Sequence, residues 1–159
     1  MVTPVVLLPD LNPTRLIPGG INMLSNSLPG SYILIVRLKE RVRLCAGKLP
    51  ERGYPAGWYA YAGSALGGLR QRLSRYLKAD RKLHWHIDYL LEHGTVTEAL
   101  IIAGKERLEC RIAEHLGGKL ETIKDFGSSD CKCSGHLFYH KEESYVTEAV
   151  TSAGSRRFD

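Results

Sequence analysis

No stretch of this sequence approaches the roughly 18 consecutive apolar residues that a membrane-spanning helix requires, so no membrane partner is expected. The opening, MVTPVVLLPDLNPTRLIPGG, is apolar in patches, but Asp10 and several prolines interrupt it. It also lacks a basic lead-in, which argues against a secretory signal peptide. Cysteine is scarce: Cys45, Cys110, Cys131 and Cys133 are the four in 159 residues. That number does not make the disulfide framework of a small secreted domain, and a reducing, cytoplasmic setting is expected instead. Internal repeats are absent, which excludes solenoids and propellers. The content of 43% hydrophobic and 25% charged residues is that of a globular chain rather than a disordered one, and the length suits one domain.

What the chain has in excess is positive charge, and the excess is local. There are 22 Lys and Arg against 17 Asp and Glu, a formal net charge of +5. Between Leu69 and Lys82 stand Arg70, Arg72, Arg75, Lys78, Arg81 and Lys82 against one acid, Asp80. The rest of the chain is balanced. A concentrated basic segment suits a polyanion such as nucleic acid, whose phosphates reward clustered Lys and Arg. It suits a solvated helix face equally well.

Residues 1–28 contain four prolines and no sustained hydrophobic period; they read as an N-terminal extension, flexible or draped on the surface. From Gly30 the pattern sharpens. SYILIVRL is a buried strand, and RVRLCAG reads as a second strand antiparallel to it. KLPERGYPAG reads as a loop, and WYAYAG as the next strand, with Tyr59, Tyr61 and Gly63 on one face. GGLRQRLSRYLKA is an amphipathic helix and HWHIDYLLEHG a short one closed by Gly94. TVTEALIIAG is a strand, KERLECRIAEHLGG a helix, and KLETIKDFGSSDCKCSGHLFYH a short strand, a serine-rich turn and a last strand. The tail 142–159 reads as weakly helical or disordered. The fold class is α+β, a small antiparallel β-sheet flanked by helices.

Helical phase sorts the basic residues. At about 100° per residue, Leu69, Leu73, Tyr76 and Leu77 make the buried stripe of the basic helix. Arg75 and Lys78 fall on the far side and Arg70 on a flank, while Arg72 borders Tyr76 where the stripe meets the sheet. An arginine there either snorkels outward or forks onto a phosphate. In the third helix Leu108, Ile112 and Leu116 form the apolar line and Glu109 sits against it. A carboxylate so placed is either paired with an arginine or holds a cation. His84 and Asp88 stand four apart, as a carboxylate–imidazole pair for base chemistry or as a helix-start pair, with His86 between them. Cys131, Cys133 and His136 form either a soft-metal site for zinc, completed by His84 or His86, or a tight turn with packed thiols.

Taken in order, Gly30-Ser31-Tyr32, Tyr61-Ala62-Gly63, Arg72 and Glu109 resemble the pattern of the GIY-YIG nucleases. Tyr76 falls where a Tyr or His often stands one turn beyond the arginine. Over about residues 29–141, the blocks YAYAGSALGGL, LHWHIDYLL, RLECRIAEHLGG and FGSSDCKCSGHLFY are similar to the DUF123 branch of that superfamily. The first tripeptide has Ser where many relatives have Ile, and SSDCKCSGH occupies the place of the usual late asparagine. The resemblance implies a GIY-YIG-like fold and a metal-dependent endonuclease acting on nucleic acid, DNA foremost. In that reading Glu109 holds Mg²⁺ or Mn²⁺ and Arg72 neutralises charge on the phosphate. Tyr32 or Tyr61, its pKa lowered, helps to deprotonate water, and His84 assists. Arg70, Arg75, Lys78, Arg81 and Lys82 grip flanking phosphates. The alternatives are a non-catalytic nucleic-acid-binding module and a protein-interaction domain on the same fold.

Overall fold

The computed structural model describes residues 13–155. Its elements run β1 (Thr14–Leu16), a 3₁₀ turn (Pro18–Met23), β2 (Gly30–Leu38), β3 (Val42–Leu44), β4 (Arg52–Tyr54), β5 (Gly57–Ala65) and α1 (Leu69–Tyr76). There follow α2 (His86–Leu91), β6 (Thr95–Ala103), α3 (Glu109–Gly117), β7 (Glu121–Ile123), β8 (Leu137–His140) and α4 (Glu143–Ser155). The expected α+β class, an antiparallel sheet flanked by helices, is what forms. Six strands pair in the order β1-β6-β2-β5-β8-β7, all antiparallel, and β3 and β4 make a separate two-stranded sheet.

The sheet is covered on both faces, which is why β2 reads as a nearly continuous apolar run; of its residues only Arg37 is exposed. Tyr32, Leu34 and Val36 share one face with Tyr59 and Tyr61 of β5, under Leu69, Leu73 and Tyr76 of α1 and Ile87 and Leu90 of α2. The opposite face presents Ile33, Ile35, Ala60 and Ala62 to Ile112 and Leu116 of α3 and Val146 and Val150 of α4.

Several elements differ from the sequence expectation, each for a physical reason. The segment RVRLCAG does not pair with β2, because β5 and β6 already occupy both its edges. Its strand β3 pairs instead with β4, inside what reads as a loop. Residues 1–12 of the expected N-terminal extension lie outside the described residues. Beyond them, β1 joins the sheet edge and Leu16, Ile21 and Leu24 are buried; a three-residue strand is too short to show a period. The tail takes the helical one of its two readings, over Glu143–Ser155. In α4, Val146, Ala149, Val150 and Ala153 are buried at helical spacing, a stripe whose small residues dilute the hydrophobic signal. Leu77, assigned to the buried stripe of α1, stands past the helix end and is exposed.

One buried carboxylate holds α1 and α2 together. Asp88 is fully buried and accepts two hydrogen bonds from Arg75, at 2.8 and 2.7 Å. It also accepts the backbone N–H groups of His84 and Trp85, at 2.8 and 2.7 Å, which start α2. The Arg81 guanidinium lies 3.4 Å from the same carboxylate and donates to the Asp88 carbonyl and to Lys78 O. Of the two readings of His84 and Asp88, the structure has the helix-start one: the backbone of His84, not its imidazole, meets the carboxylate.

Removing one partner of a buried ion pair strands the other charge and costs about 3–5 kcal/mol. Asp88→Ala is therefore expected to lower the unfolding free energy by that amount, read as a lower urea midpoint with the slope unchanged. A loss below about 1 kcal/mol, the range of an exposed pair, would remove Asp88 from this role.

Candidate active-site cleft and the adjoining thiol cluster

The site begins where the sheet is incomplete. Strand β8 pairs with β5 from Trp58 to Tyr61, and the last bond on that edge runs from Ala62 N–H to His136 O at 2.9 Å. Strand β5 continues to Ala65. Beyond Ala62, among the described residues, it therefore has β2 on one side and no strand on the other. This notch opens into a cleft of about 410 Å³ lined from both helical layers, among others by Tyr32, Tyr61, Arg72, His84, Trp85 and Glu109.

On the α1 side, register sets the geometry. Tyr32 stands opposite Gly63, and a Cβ at Gly63 would lie 2.5 Å from the Tyr32 hydroxyl. Only glycine lets the phenol cross the neighbouring strand. Gly30 is similarly constrained, since a Cβ there would meet Ile102 O at 2.6 Å. The Tyr32 hydroxyl lies 2.8 Å from that of Tyr76, which stands behind the cleft wall. Arg72 donates to Ser64 O at 3.2 Å, a carbonyl left without a strand partner, and its Cζ sits 4.8 Å from the centroid of the Trp85 ring. A guanidinium stacked on an aromatic face and hydrogen-bonded at one nitrogen is held in place with further donors to offer.

The phenols correct the expected chemistry. Burial pushes Tyr32 and Tyr61 well above the ordinary tyrosine range, with Tyr76 adding to the shift of each and Arg72 opposing it. Desolvation disfavours the phenolate more than the arginine favours it. Arg72 by itself therefore does not lower either phenol, as the sequence reading had allowed, and the Tyr32 hydroxyl is hydrogen-bonded to that of Tyr76. For Arg72, burial lowers the pKa but the Tyr32 and Tyr76 hydroxyls more than offset it, so the cation is reinforced.

On the α3 side, Ser31 is the anchor. Its hydroxyl lies 2.8 Å from that of Ser64 and accepts the Leu108 N–H at 2.9 Å, fixing the residue before Glu109. Glu109 is the first residue of α3, where a carboxylate suits the helix dipole. Its side chain is 18% exposed and 3.7 Å from the 65% exposed Arg107. That is a loose pair, and the carboxylate keeps a face toward the cleft. Asp130 lines the same wall.

His84 is exposed at the cleft wall, edge-on to Trp85 at 4.6 Å between centroids. His86 is held differently: its Nδ1 accepts the Gly127 N–H at 2.8 Å, and burial lowers its pKa. The neutral ring then carries its proton on Nε2 and serves as a positioning group.

Of the residues singled out in the sequence, Tyr32, Tyr61, Arg72, His84 and Glu109 meet at the cleft, with Tyr76 behind them. The basic set does not gather there. Arg75 and Arg81 are committed to Asp88, which corrects their assignment as phosphate grips. Arg70 donates to Asn26 Oδ1 at 2.8 Å. Lys78 and Lys82 are exposed but do not line the cleft. Sequence reasoning missed Arg107, Trp85 and Asp130 in the wall; all three are neighbours of residues it did single out.

Cys131, Cys133 and His136 do come together, and their fourth member is Cys110 rather than His84 or His86. The donor atoms of these four all lie within 4.8 Å of one another, an arrangement that could hold a metal ion. His136 is 3% exposed. Burial lowers its imidazole pKa, against an upward push from Glu109 and Asp130.

A family model, the domain of unknown function DUF123, matches residues 31–158. No curated protein and no solved structure matches the chain.

Two outcomes test this geometry. An exposed tyrosine and the unfolded chain ionise near pH 10, while Tyr32 and Tyr61 stay protonated in the fold. The folded state thus binds more protons above that pH, so stability is unaffected below about pH 10 and falls as pH rises further. Urea midpoints from pH 8 to 11.5 should show this alkaline fall, and Tyr32→Phe with Tyr61→Phe should flatten it; an unchanged slope would contradict it. Gly63→Ala should destabilise by about 1–3 kcal/mol through overpacking, and Tyr32→Ala should rescue part of that loss.

Proposed function

The chain belongs to the DUF123 family, and for this member we propose a metal-dependent endonuclease of GIY-YIG type, acting on nucleic-acid phosphodiesters with DNA as the first candidate. One observation carries the reading. Arg72, the phenols of Tyr32 and Tyr61, and the Glu109 carboxylate come from four separate segments and face one cleft. A dianionic transition state needs fixed donors and cations around the phosphate, and this is such a set.

The donor chemistry of the wall fits Mg²⁺ or Mn²⁺. Glu109 and Asp130 offer hard oxygen ligands, and Mg²⁺ often takes only one or two protein carboxylates, the rest being water and phosphate. When bound, such an ion polarises the phosphoryl oxygen and steadies the leaving alkoxide.

The protein's own groups divide the remaining work. Arg72, braced by Trp85 and Ser64 O, forks onto non-bridging phosphate oxygens and neutralises charge as it develops. Tyr32 and Tyr61, kept protonated by burial, donate to the same phosphate rather than accept a proton. The imidazole of His84 is then the group at the wall that can take the proton of the attacking water. Arg107, exposed at the rim, is placed to hold a flanking phosphate without reading bases. None of the four cysteines is in a disulfide, which suits a reducing compartment such as the cytoplasm.

The second reading, a binding module without chemistry, draws on the burial of the phenols, which disfavours their phenolate forms. The two are separated by incubating labelled single-stranded, duplex and branched DNA with the protein in Mg²⁺ or Mn²⁺. Cleavage should fall by about 10²–10³-fold for Arg72→Ala and by a similar factor for Glu109→Gln, with binding largely kept in the latter. Salt-sensitive binding without cleavage would establish the module instead. Absence of both would reject a nucleic-acid role.

A further inference from the structure

We propose that Cys110, Cys131, Cys133 and His136 bind one zinc ion in a closed tetrahedral site that clamps the start of α3 to the 128–136 loop. Zinc with thiolate sulfur at about 2.3 Å and imidazole nitrogen at about 2.0–2.1 Å sets the sulfurs about 3.8 Å apart and each sulfur about 3.6 Å from the nitrogen. Here Cys131 Sγ is 3.5 Å and Cys110 Sγ 3.9 Å from His136 Nε2, and all four donors fall within 4.8 Å of one another. Packed thiols or a disulfide would need no such gathering of four donors, imidazole included, around one point.

Chain geometry supports the same conclusion. Cys110 lies on α3, whereas Cys131, Cys133 and His136 lie on a loop closed by its own stem. Asp125 N–H donates to Ser134 O at 2.6 Å and His136 N–H to Phe126 O at 2.7 Å. Asp125 holds a φ of 65°, the left-handed turn conformation that aspartate adopts more readily than most residues. Binding breaks three S–H bonds, releases those protons to solvent and forms three sulfur–zinc bonds. The neutral His136 ring supplies the fourth electron pair from Nε2. With Cys₃His filling every position, the ion has no open coordination site, so its role is structural.

The clamp has a consequence for the cleft. Cys110 follows Glu109 and Cys131 follows Asp130 in the chain. Two of the ligands are thus next-door neighbours of the two carboxylates on the cleft wall, and zinc fixes their separation. The site stands whether or not the cleft cuts nucleic acid, since metal content is measured without a substrate.

The experiment uses the full chain purified without a histidine tag or chelator, under reducing conditions. Elemental analysis should find about one zinc per chain. Exchange with Co²⁺ should give thiolate-to-cobalt charge transfer and the intense visible bands of a tetrahedral ion. In the metal-loaded protein a thiol reagent should modify Cys45 rapidly and the other cysteines only after chelation. Cys110→Ser should weaken zinc binding by at least about tenfold, whereas Cys45→Ser should leave it unchanged. The cobalt spectrum of the unmodified chain keeps the test decisive if Cys110→Ser fails to fold. Zinc below roughly a tenth of an equivalent with no tetrahedral cobalt spectrum would overturn the site. So would a metal-free chain whose mass is lower by the hydrogens of one disulfide.

Discussion

Both walls of the cleft hang from one step of strand register. Along the β2–β5 pair, Ser31 stands opposite Ser64 and Tyr32 opposite Gly63. Successive strand residues point to opposite faces, so this step serves both helical layers. On one face the serine pair accepts the first amide of the α3 turn and fixes the approach of Glu109. On the other, the Tyr32 phenol crosses Gly63 to reach Tyr76 and the flank of Arg72. Slipping the pair by one residue would exchange the faces and separate the arginine from the carboxylate. Ser31 is therefore part of the scaffold: an aliphatic side chain there could not accept the Leu108 N–H.

The distribution of arginines follows from burial rather than from net charge. Asp88 is fully buried and can remain an anion only with several donors around it. Arg75, Arg81 and two backbone amides meet that demand, and in meeting it they tie α1 to the start of α2. Arg72, one turn before Arg75, donates to Ser64 O instead of to Asp88. It is stacked on Trp85, the very residue whose amide Asp88 holds. The buried ion pair thus positions the aromatic platform on which the cleft arginine rests. Local basicity that looks like an electrostatic surface is in large part an internal strut.

The sequence made the main architecture legible where long, strongly periodic segments decide it. Strands β2, β5 and β6 and helices α1 and α3 stand where alternation and helical spacing put them, and so do Tyr59, Tyr61 and Gly63 on one face. What was illegible depends on tertiary partners. Nothing in the spacing of Arg75 reveals that Asp88 will be buried beside it. Nothing local to Cys131 and Cys133 points to Cys110, 21 residues before Cys131 on another element. The sign of the tyrosine shift was equally hidden, because it turns on how completely two helical layers exclude water from the sheet. The β1 strand escaped because three residues make no period, and α4 was left between a weak helix and disorder because alanine and glycine make a faint one.

The cleft itself is the product of a strand that stops early. An unpaired stretch of β5 would ordinarily invite another strand and leave carbonyls and amides unsatisfied. Here Arg72 takes the Ser64 carbonyl, and the loop from Phe126 to His136 lies across the gap without pairing. Phe126 anchors one end of this loop in the core beside Tyr54, Tyr61 and His86, while α3 packs through Ile112 and Leu116 on the opposite face of the sheet. The zinc proposed at Cys110 would join the far end of the loop to that helix and fix Asp130 relative to Glu109. In that proposal the thiol cluster and the cleft are one construction, since two of the ligands adjoin the two cleft carboxylates in the chain.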